Sequence, residues 1–468
     1  MSLEVLEFNN LTYDEPNSVT VVDRTVRNQI FANPNTYNGL SGGEVIPILI
    51  NSGGEYVDGS RSTITIQAKI NVLNNGNAAY FRFDKRGIES LNSGSTFLNL
   101  ISQVQLESKD GQLIFRENYK NIMQTTREYT LNQEAKNQLA MCGGFAATVN
   151  DYPSYPVGQY VTFTLPLSLI APFFNTASMI PCYLISGSVL RLQINNPSSS
   201  VLIYTNDNST QITTGDLQIT LDIQNLSLQL QESKLFDGIE SILKNSAMNM
   251  NKGLSFPYYQ NFNTLYTPTS SSFQFQVNVA CSKASYIVIK FLDNDAIYGV
   301  LSPIGCASIF DLNGDQAVTD PNGLGFSIQC RLGQMVMPMF PVVSSVEAYK
   351  LTCDALNPIS YSNTEDIDVM KDKNKLMSGC VPYNYYSYSQ ITPGDPDIIT
   401  GANYRGTMFG FNLERSGGVN LGGLSTNASR VLTIEVNGLT GYAGYKLFAS
   451  VKYLSIASIH ENNVVISK

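Results

Sequence analysis

Apolar and polar residues alternate along most of the chain. Ile64, Ile66, Ala68, Ile70 and Val72 are separated by Thr65, Gln67, Lys69 and Asn71. A period of two puts one set on each face of a pleated strand, so this stretch predicts a strand with one buried face. The alternation returns at Val161, Phe163 and Leu165, at Leu190, Leu192 and Ile194, and at Leu217, Ile219, Leu221 and Ile223. After Asn225 the phase flips to Leu226, Leu228 and Leu230, which predicts a bulge or a strand that changes face.

One segment breaks the pattern. In SKLFDGIESILKNSAMNMNKG, Leu235, Phe236, Ile239, Ile242, Leu243 and Ala247 fall at helical spacing, with Ser233 as a cap and Gly253 as a stop. Strand alternation then resumes at Phe273–Val279, Ile287–Phe291, Phe326–Leu332, Phe409–Leu413 and Leu432–Val436. The final run, YKLFASVKYLSIASI, is apolar on both faces, as a central strand or one between packed layers would be. Short helices are expected at 117–128, at 132–141, and after Ser344, where Ser344-x-x-Glu347 forms a capping box. The expected organisation is an N-terminal arm (1–44), a first β-sandwich (45–231), a helical connector (232–253) and a second sandwich (254–468). Long Gly/Asn/Ser/Pro-rich loops at 74–79, 195–200, 392–397 and 415–429 would project from the sandwich ends.

Composition narrows the function. The chain has 468 residues, 29 Lys+Arg and 38 Asp+Glu, a net charge of −9, and 14% charged residues. An ordinary soluble chain carries about 25% charged residues. A polar but weakly charged surface repels its own copies little, and an acidic chain without basic runs has no electrostatic grip on a phosphate backbone. The lysines of MKDKNK (370–375) flank a carboxylate and read as a solvated loop. His460 is the only histidine, which argues against His-dependent nucleophilic and metal sites. Seven cysteines stand singly and read as reduced, mostly buried thiols. The opening segment lacks the pattern of an export signal, so synthesis in the cytoplasm is expected, and no apolar run approaches the ~18 residues of a membrane span.

Candidate chemistry is thin. Asp311, Asn313 and Asp315 resemble the start of a calcium loop, but Gly314 sits at position 4 rather than 6 and Asn322 stands where a bidentate carboxylate belongs. The string reads as a turn between strands. Acidic pairs such as Asp395/Asp397 lie in polar loops, and the absence of Trp removes the favourite sugar-stacking side chain. Neither phosphate-binding glycine motif occurs. No catalytic residue, metal or cofactor is therefore assigned. Tyr258, Tyr259, Tyr383, Tyr385, Tyr386 and Tyr388 form the clearest clusters outside the alternating core; Tyr suits a subunit interface and equally a sheet face packed within one chain.

Two stretches carry a resemblance. In 45–123, Ile46-Pro47-Ile48, Gly53-Gly54, Ser62, Gly111 and Glu117-Asn118-Tyr119 are similar to the first jelly roll of double jelly-roll major capsid proteins from polinton-like viruses and virophages. In 162–195, Leu165-Pro166-Leu167 and Ile180-Pro181 resemble that family's strand, short helix, Pro, strand module, and 424–459 is similar to its closing strand pair. The likeness covers about half the chain, which is shorter than many virophage capsid proteins. It implies an all-β fold of two tandem eight-stranded jelly-roll sandwiches with a few short helices. It also implies a homotrimeric, pseudo-hexameric capsomer that tiles an icosahedral shell, with other trimers, penton proteins and minor capsid proteins as partners. Two other readings remain: a penton or minor capsid protein, for which one jelly roll would suffice, and a two-domain β-sandwich that binds or cleaves glycans, which one His and no Trp disfavour.

Overall fold

The computed structural model describes residues 22–52, 56–83, 97–123, 142–143, 154–174, 180–205, 211–212, 217–235, 254–293, 323–356, 408–413, 424–426, 430–439, 442–460 and 463–467. The first half contains β1 (Val22–Phe31), β2 (Tyr37–Leu40), β3 (Val45–Leu49), β4 (Tyr56–Val72), β5 (Tyr80–Arg82), β6 (Ile101–Glu107) and β7 (Leu113–Asn118). It continues with β8 (Tyr155–Pro156), β9 (Val161–Pro166), helix α1 (Leu167–Ile170), β10 (Ile180–Pro181), helix α2 (Cys182–Ile185) and β11 (Val189–Ile194). It closes with β12 (Leu202–Tyr204), β13 (Gln211–Ile212) and β14 (Ile219–Leu235). The second half holds β15 (Leu254–Tyr266), β16 (Phe273–Val277), β17 (Cys281–Asp293), β18 (Gly323–Leu332), β19 (Met335–Ser344) and helix α3 (Ser345–Leu356). Then follow β20 (Met408–Asn412), β21 (Leu424–Thr426), β22 (Leu432–Asn437), β23 (Tyr445–His460) and β24 (Asn463–Ser467).

Each half is a sandwich of two antiparallel sheets. In the first, the path β1-β14-β4-β10, with β9 also on β4, faces β3-β11-β6-β7. In the second, β15-β23-β17-β20, with β21 also on β17, faces β16-β22-β18-β19. Both halves run through their two sheets in the same order. Each strand on the two sheet paths of the first therefore has a counterpart in the second: β1 with β15, β4 with β17, β7 with β19, β14 with β23.

The alternation explains the cores. Ile64, Ile66, Ala68 and Ile70 of β4 meet Phe163 and Leu165 of β9 and Leu221, Ile223, Leu226, Leu228 and Leu230 of β14 in one buried cluster. Phe273, Phe275, Ile287, Ile289, Phe291, Ile328, Cys330, Phe409 and Ile434 form a second. Each such side chain contributes about 1.5–3 kcal/mol on leaving water, so the two clusters supply the main favourable term for each sandwich. The phase flip in β14 is a bulge: Asn225 has φ 51° and the register against β4 shifts between Gln224 and Ser227, so Ile223 and Leu226 both face inward. Burial pushes the Cys330 thiol up to about 12. Of the cysteines described, Cys182, Cys281 and Cys330 are buried and Cys142 is exposed.

Three boundaries differ from expectation. Residues 22–31 and 37–40, assigned to an arm, are β1 and β2 and pair with β14. An edge strand needs only one buried face over part of its length, so its alternation is weak. Residues 232–235, assigned to the helical connector, continue β14 as a strand, because Glu232 and Ser233 are buried against β1 and β4; 236–253 lie outside the described residues. The helix expected from Glu117 begins at Lys120 instead, since β7 extends to Asn118. The segment 132–141 also lies outside the described residues. A small sheet, β13-β12-β5-β8, was not legible at all: strands of two or three residues have no period.

Candidate functional site: the seam between the two sandwiches

The two halves meet along β7 of the first and β15 of the second, each the last strand of its sheet path. The contact is built from polar groups that leave water in pairs. The Tyr258 hydroxyl donates to the Ile114 carbonyl at 2.6 Å, and Gln260 Nε2 donates to the Tyr258 oxygen at 2.9 Å. Tyr453 O–H in turn donates to Gln260 Oε1 at 3.3 Å. Burial raises the Tyr258 phenol far above its ordinary value, and the nearby Tyr453 adds to it, so the hydroxyl stays a donor at any physiological pH. Its ring stands edge-on to Phe173, centroids 5.0 Å apart.

One turn further along, Glu117 and Lys120 form an ion pair of 3.0 Å with side chains 1% and 0% exposed. Burying two charges costs several kcal/mol each unless their remaining hydrogen-bonding positions are filled. Here they are filled from two other elements. Asn261 Nδ2 of β15 donates to Glu117 Oε1 at 3.1 Å, and Lys120 Nζ donates to the Leu169 carbonyl of α1 at 2.6 Å. Asn263 Nδ2 donates to the Asn118 carbonyl at 2.7 Å. Tyr119, at φ 52°, turns the chain sharply between β7 and the helical turn at Lys120, a conformation that costs a non-glycine residue energy. The turn lets Ile122 and Met123 lie on Phe448 of β23 and places the Tyr119 ring 6.5 Å from that of Phe448.

On the opposite flanks, several large apolar side chains of the described residues are exposed. On β1, Val26 and Phe31 are 51% and 53% exposed. On β19, Met339 and Phe340 are 82% and 74% exposed, and Val343 is exposed too. Gln329 Nε2 holds the Met339 region from beneath, donating to the Pro338 carbonyl at 2.9 Å and the Met339 carbonyl at 3.4 Å.

The residues singled out from the sequence fall into three groups. Tyr258 is 1% exposed and spent within the chain, so it is corrected from a contact between subunits to a contact between halves; its ring and hydroxyl already have partners. Tyr259 is half-buried, with Lys452 Nζ 4.5 Å from its ring centroid. Tyr383, Tyr385, Tyr386, Tyr388, Asp311, Asn313 and Asp315 lie outside the described residues. His460 ends β23 opposite Asn463 in a hairpin. Among the described residues, no three His, Cys, Asp or Glu side chains group as a metal site, and no helix is long and apolar enough to cross a membrane. Glu117, Asn118 and Tyr119 were singled out as a motif but not as a seam, because their partners come from 144 residues or more away.

Two side-by-side sandwiches of identical strand order, sealed by a buried seam, define the double jelly-roll fold. Solved structures share it over the full chain. A chain from the quasi-atomic model of the PBCV-1 virus capsid covers 98% of this chain with 100% of its own, at 11% identity and a TM-score of 0.53. A chain of the Sputnik virophage structure covers 100% of this one with 93% of its own, at 10% identity and a TM-score of 0.53. PBCV-1 VP54, fitted into a reconstruction of the Sputnik virophage, gives 10% identity, 98% and 100% coverage, and a TM-score of 0.53. No family model matches the sequence, and no curated protein is significantly similar to it.

Proposed function

We propose that the chain is the major capsid protein of an icosahedral DNA virus, three copies of which form a pseudo-hexagonal capsomer within the virion shell. The observation that carries this is the pairing of two complete sandwiches of the same strand order across a rigid buried seam. That arrangement supplies two of six walls of a hexagonal block, and the full-length likeness to a PBCV-1 capsid chain supports it. The role is one of assembly rather than turnover. Contacts between trimers, and with penton and minor capsid proteins, would be made by loops at the sandwich ends. A net charge of −9 without basic runs argues against an electrostatic hold on the genome.

Native mass spectrometry tests the reading. A species of three times 51.4 kDa is expected. Negative-stain images should show hexagonal blocks on the order of 7–8 nm across, the scale set by strand length and sheet spacing. A pentamer, or a monomer at every concentration, would overturn it.

A further inference from the structure

The two halves repeat each other closely enough to compare their edges residue by residue. In the first, Ile30, Leu228 and Ile64 form a row across β1, β14 and β4. In the second, Phe262, Val451 and Ile287 form the row across β15, β23 and β17. Ile30 and Phe262 both pack partly buried on their own core. In both halves the register of the third strand breaks after one further pair, past Thr63–Gln229 and past Tyr286–Lys452. The rows therefore correspond. Counting from them, Val26 stands where Tyr258 stands, and Phe31 where Asn263 stands. Tyr258 and Asn263 are buried in the seam, while Val26 and Phe31 face solvent.

The other side of the seam repeats as well. β7 breaks register against β6 at Ile114, and it is the Ile114 carbonyl that Tyr258 and Gln260 grip. Its counterpart β19 breaks register against β18 between Met337 and Val342, which pair with Cys330 and Ile328. Five steps along β19 match two along β18, so Pro338–Pro341 bulge out with Met339 and Phe340 at the crest. The bulge is braced rather than loose, because Gln329 ties its carbonyls down. Proline at both ends removes two backbone donors, which blocks simple strand-to-strand extension at this edge and leaves side chains to make the contact.

Each chain thus carries one finished seam and both halves of an unfinished one. We propose that the Met339–Phe340 bulge of one copy seats on the Val26–Phe31 edge of a second copy, repeating between chains the β7–β15 seam that each chain makes within itself. The inference rests on the capsomer reading and adds to it the two surfaces that join the subunits. The contact is head-to-tail, with different patches on the two sides, and a contact of that kind ends only by closing into a ring. Val26 and Phe31 on one side and Met339 and Phe340 on the other offer exposed apolar side chains, with Arg27, Asn28 and Gln29 between the first two, whereas the internal seam leans on buried polar pairs.

The full-length chain, Phe340→Asp, the pair Val26→Asp/Phe31→Asp and the control Leu73→Asp would be compared by native mass spectrometry and sedimentation. Leu73 is 66% exposed and lies on neither patch. Because every substituted side chain is exposed, circular dichroism and the melting temperature of the monomer should match the parent. The expected result is a trimer for the parent and for Leu73→Asp, and association weakened on the order of 100-fold or more, towards monomer, for the other two. Combining Phe340→Asp with Val26→Lys should recover part of the trimer. Trimers that persist in Phe340→Asp would overturn the seam and leave the capsomer reading standing. A parent that never leaves the monomer would overturn both. Dimers lost in Phe340→Asp but kept in the β1 pair would show the bulge meeting itself, and would also overturn the proposal.

Discussion

β7 and β19 hold the same place in their sandwiches yet are finished in opposite ways. β7 is covered within the chain and meets its partner through a buried ion pair and a chain of hydrogen bonds. β19 carries Met339, Phe340 and Val343 exposed. Polar groups give little net free energy but fix an angle sharply, since any misalignment leaves a buried charge or carbonyl unpaired. A covalently tethered seam can be built for geometry alone, because joining its sides costs no translational freedom. A seam between separate chains has to overcome that loss, and apolar burial is the means.

The comparison is broken most forcefully at Lys120. Lys120→Ala strands the Glu117 carboxylate without its cation and should cost about 3–5 kcal/mol in urea unfolding. The double replacement Glu117→Gln/Lys120→Met should cost much less. If the effects of Glu117→Gln and Lys120→Met measured singly simply add up to that of the double, the ion pair does not set the seam. A smaller effect is expected at Gly410, where an added Cβ would stand 2.8 Å from the Thr352 Cα of α3 and 2.9 Å from the Ala355 Cβ. Gly410→Ala should destabilise by about 1–3 kcal/mol, through the second sandwich alone, with the seam untouched. Tyr258→Phe removes one hydroxyl from the Ile114 carbonyl while Gln260 still reaches it, for about 1 kcal/mol. Phe340→Ser should leave monomer unfolding within about 0.5 kcal/mol of the parent, since it supports nothing inside its own chain.

Acid separates the halves more gently. Burial pushes the Asp222 carboxyl up, but hydrogen bonds from Lys69, the Gly39 N–H and Asn71, with the Lys69 charge, outweigh it and hold the group below the ordinary carboxylate range. A folded pKa below the unfolded one gives stability that is complete above about pH 4 and is lost as pH falls through the folded value. Asp222→Asn should therefore flatten the acid limb of the stability curve measured by thermal melts, and leave the neutral region with only the loss of one ion pair.

How much of this could be read in the sequence depends on distance along the chain. Strands with one buried face announced themselves by alternation, and the bulge at Asn225 did so by its phase flip. The capping box before α3 and the two-faced character of β23 were equally plain, the latter because β23 pairs on both sides and also buries Phe448 under the first sandwich. The seam was opaque. Glu117 looks like the start of a helix until Asn261 is seen to meet it, and Tyr258 looks like a surface aromatic until Ile114 does. The Met339–Phe340 bulge did leave a sign, since two prolines in one apolar run mark an edge strand. The arm was misread because β1 carries Arg27, Asn28 and Gln29 on an edge whose outer side pairs with no strand among the described residues.

The finished seam has a consequence for counting. Because two sandwiches leave the ribosome already joined, every fragment on the way to a closed ring holds an even number of them. In the proposed trimer six walls come together in two encounters, where six separate sandwiches would need five, so the yield of capsomers rises with the third power of subunit concentration when subunits are scarce. Rings with one wall missing cannot form at all.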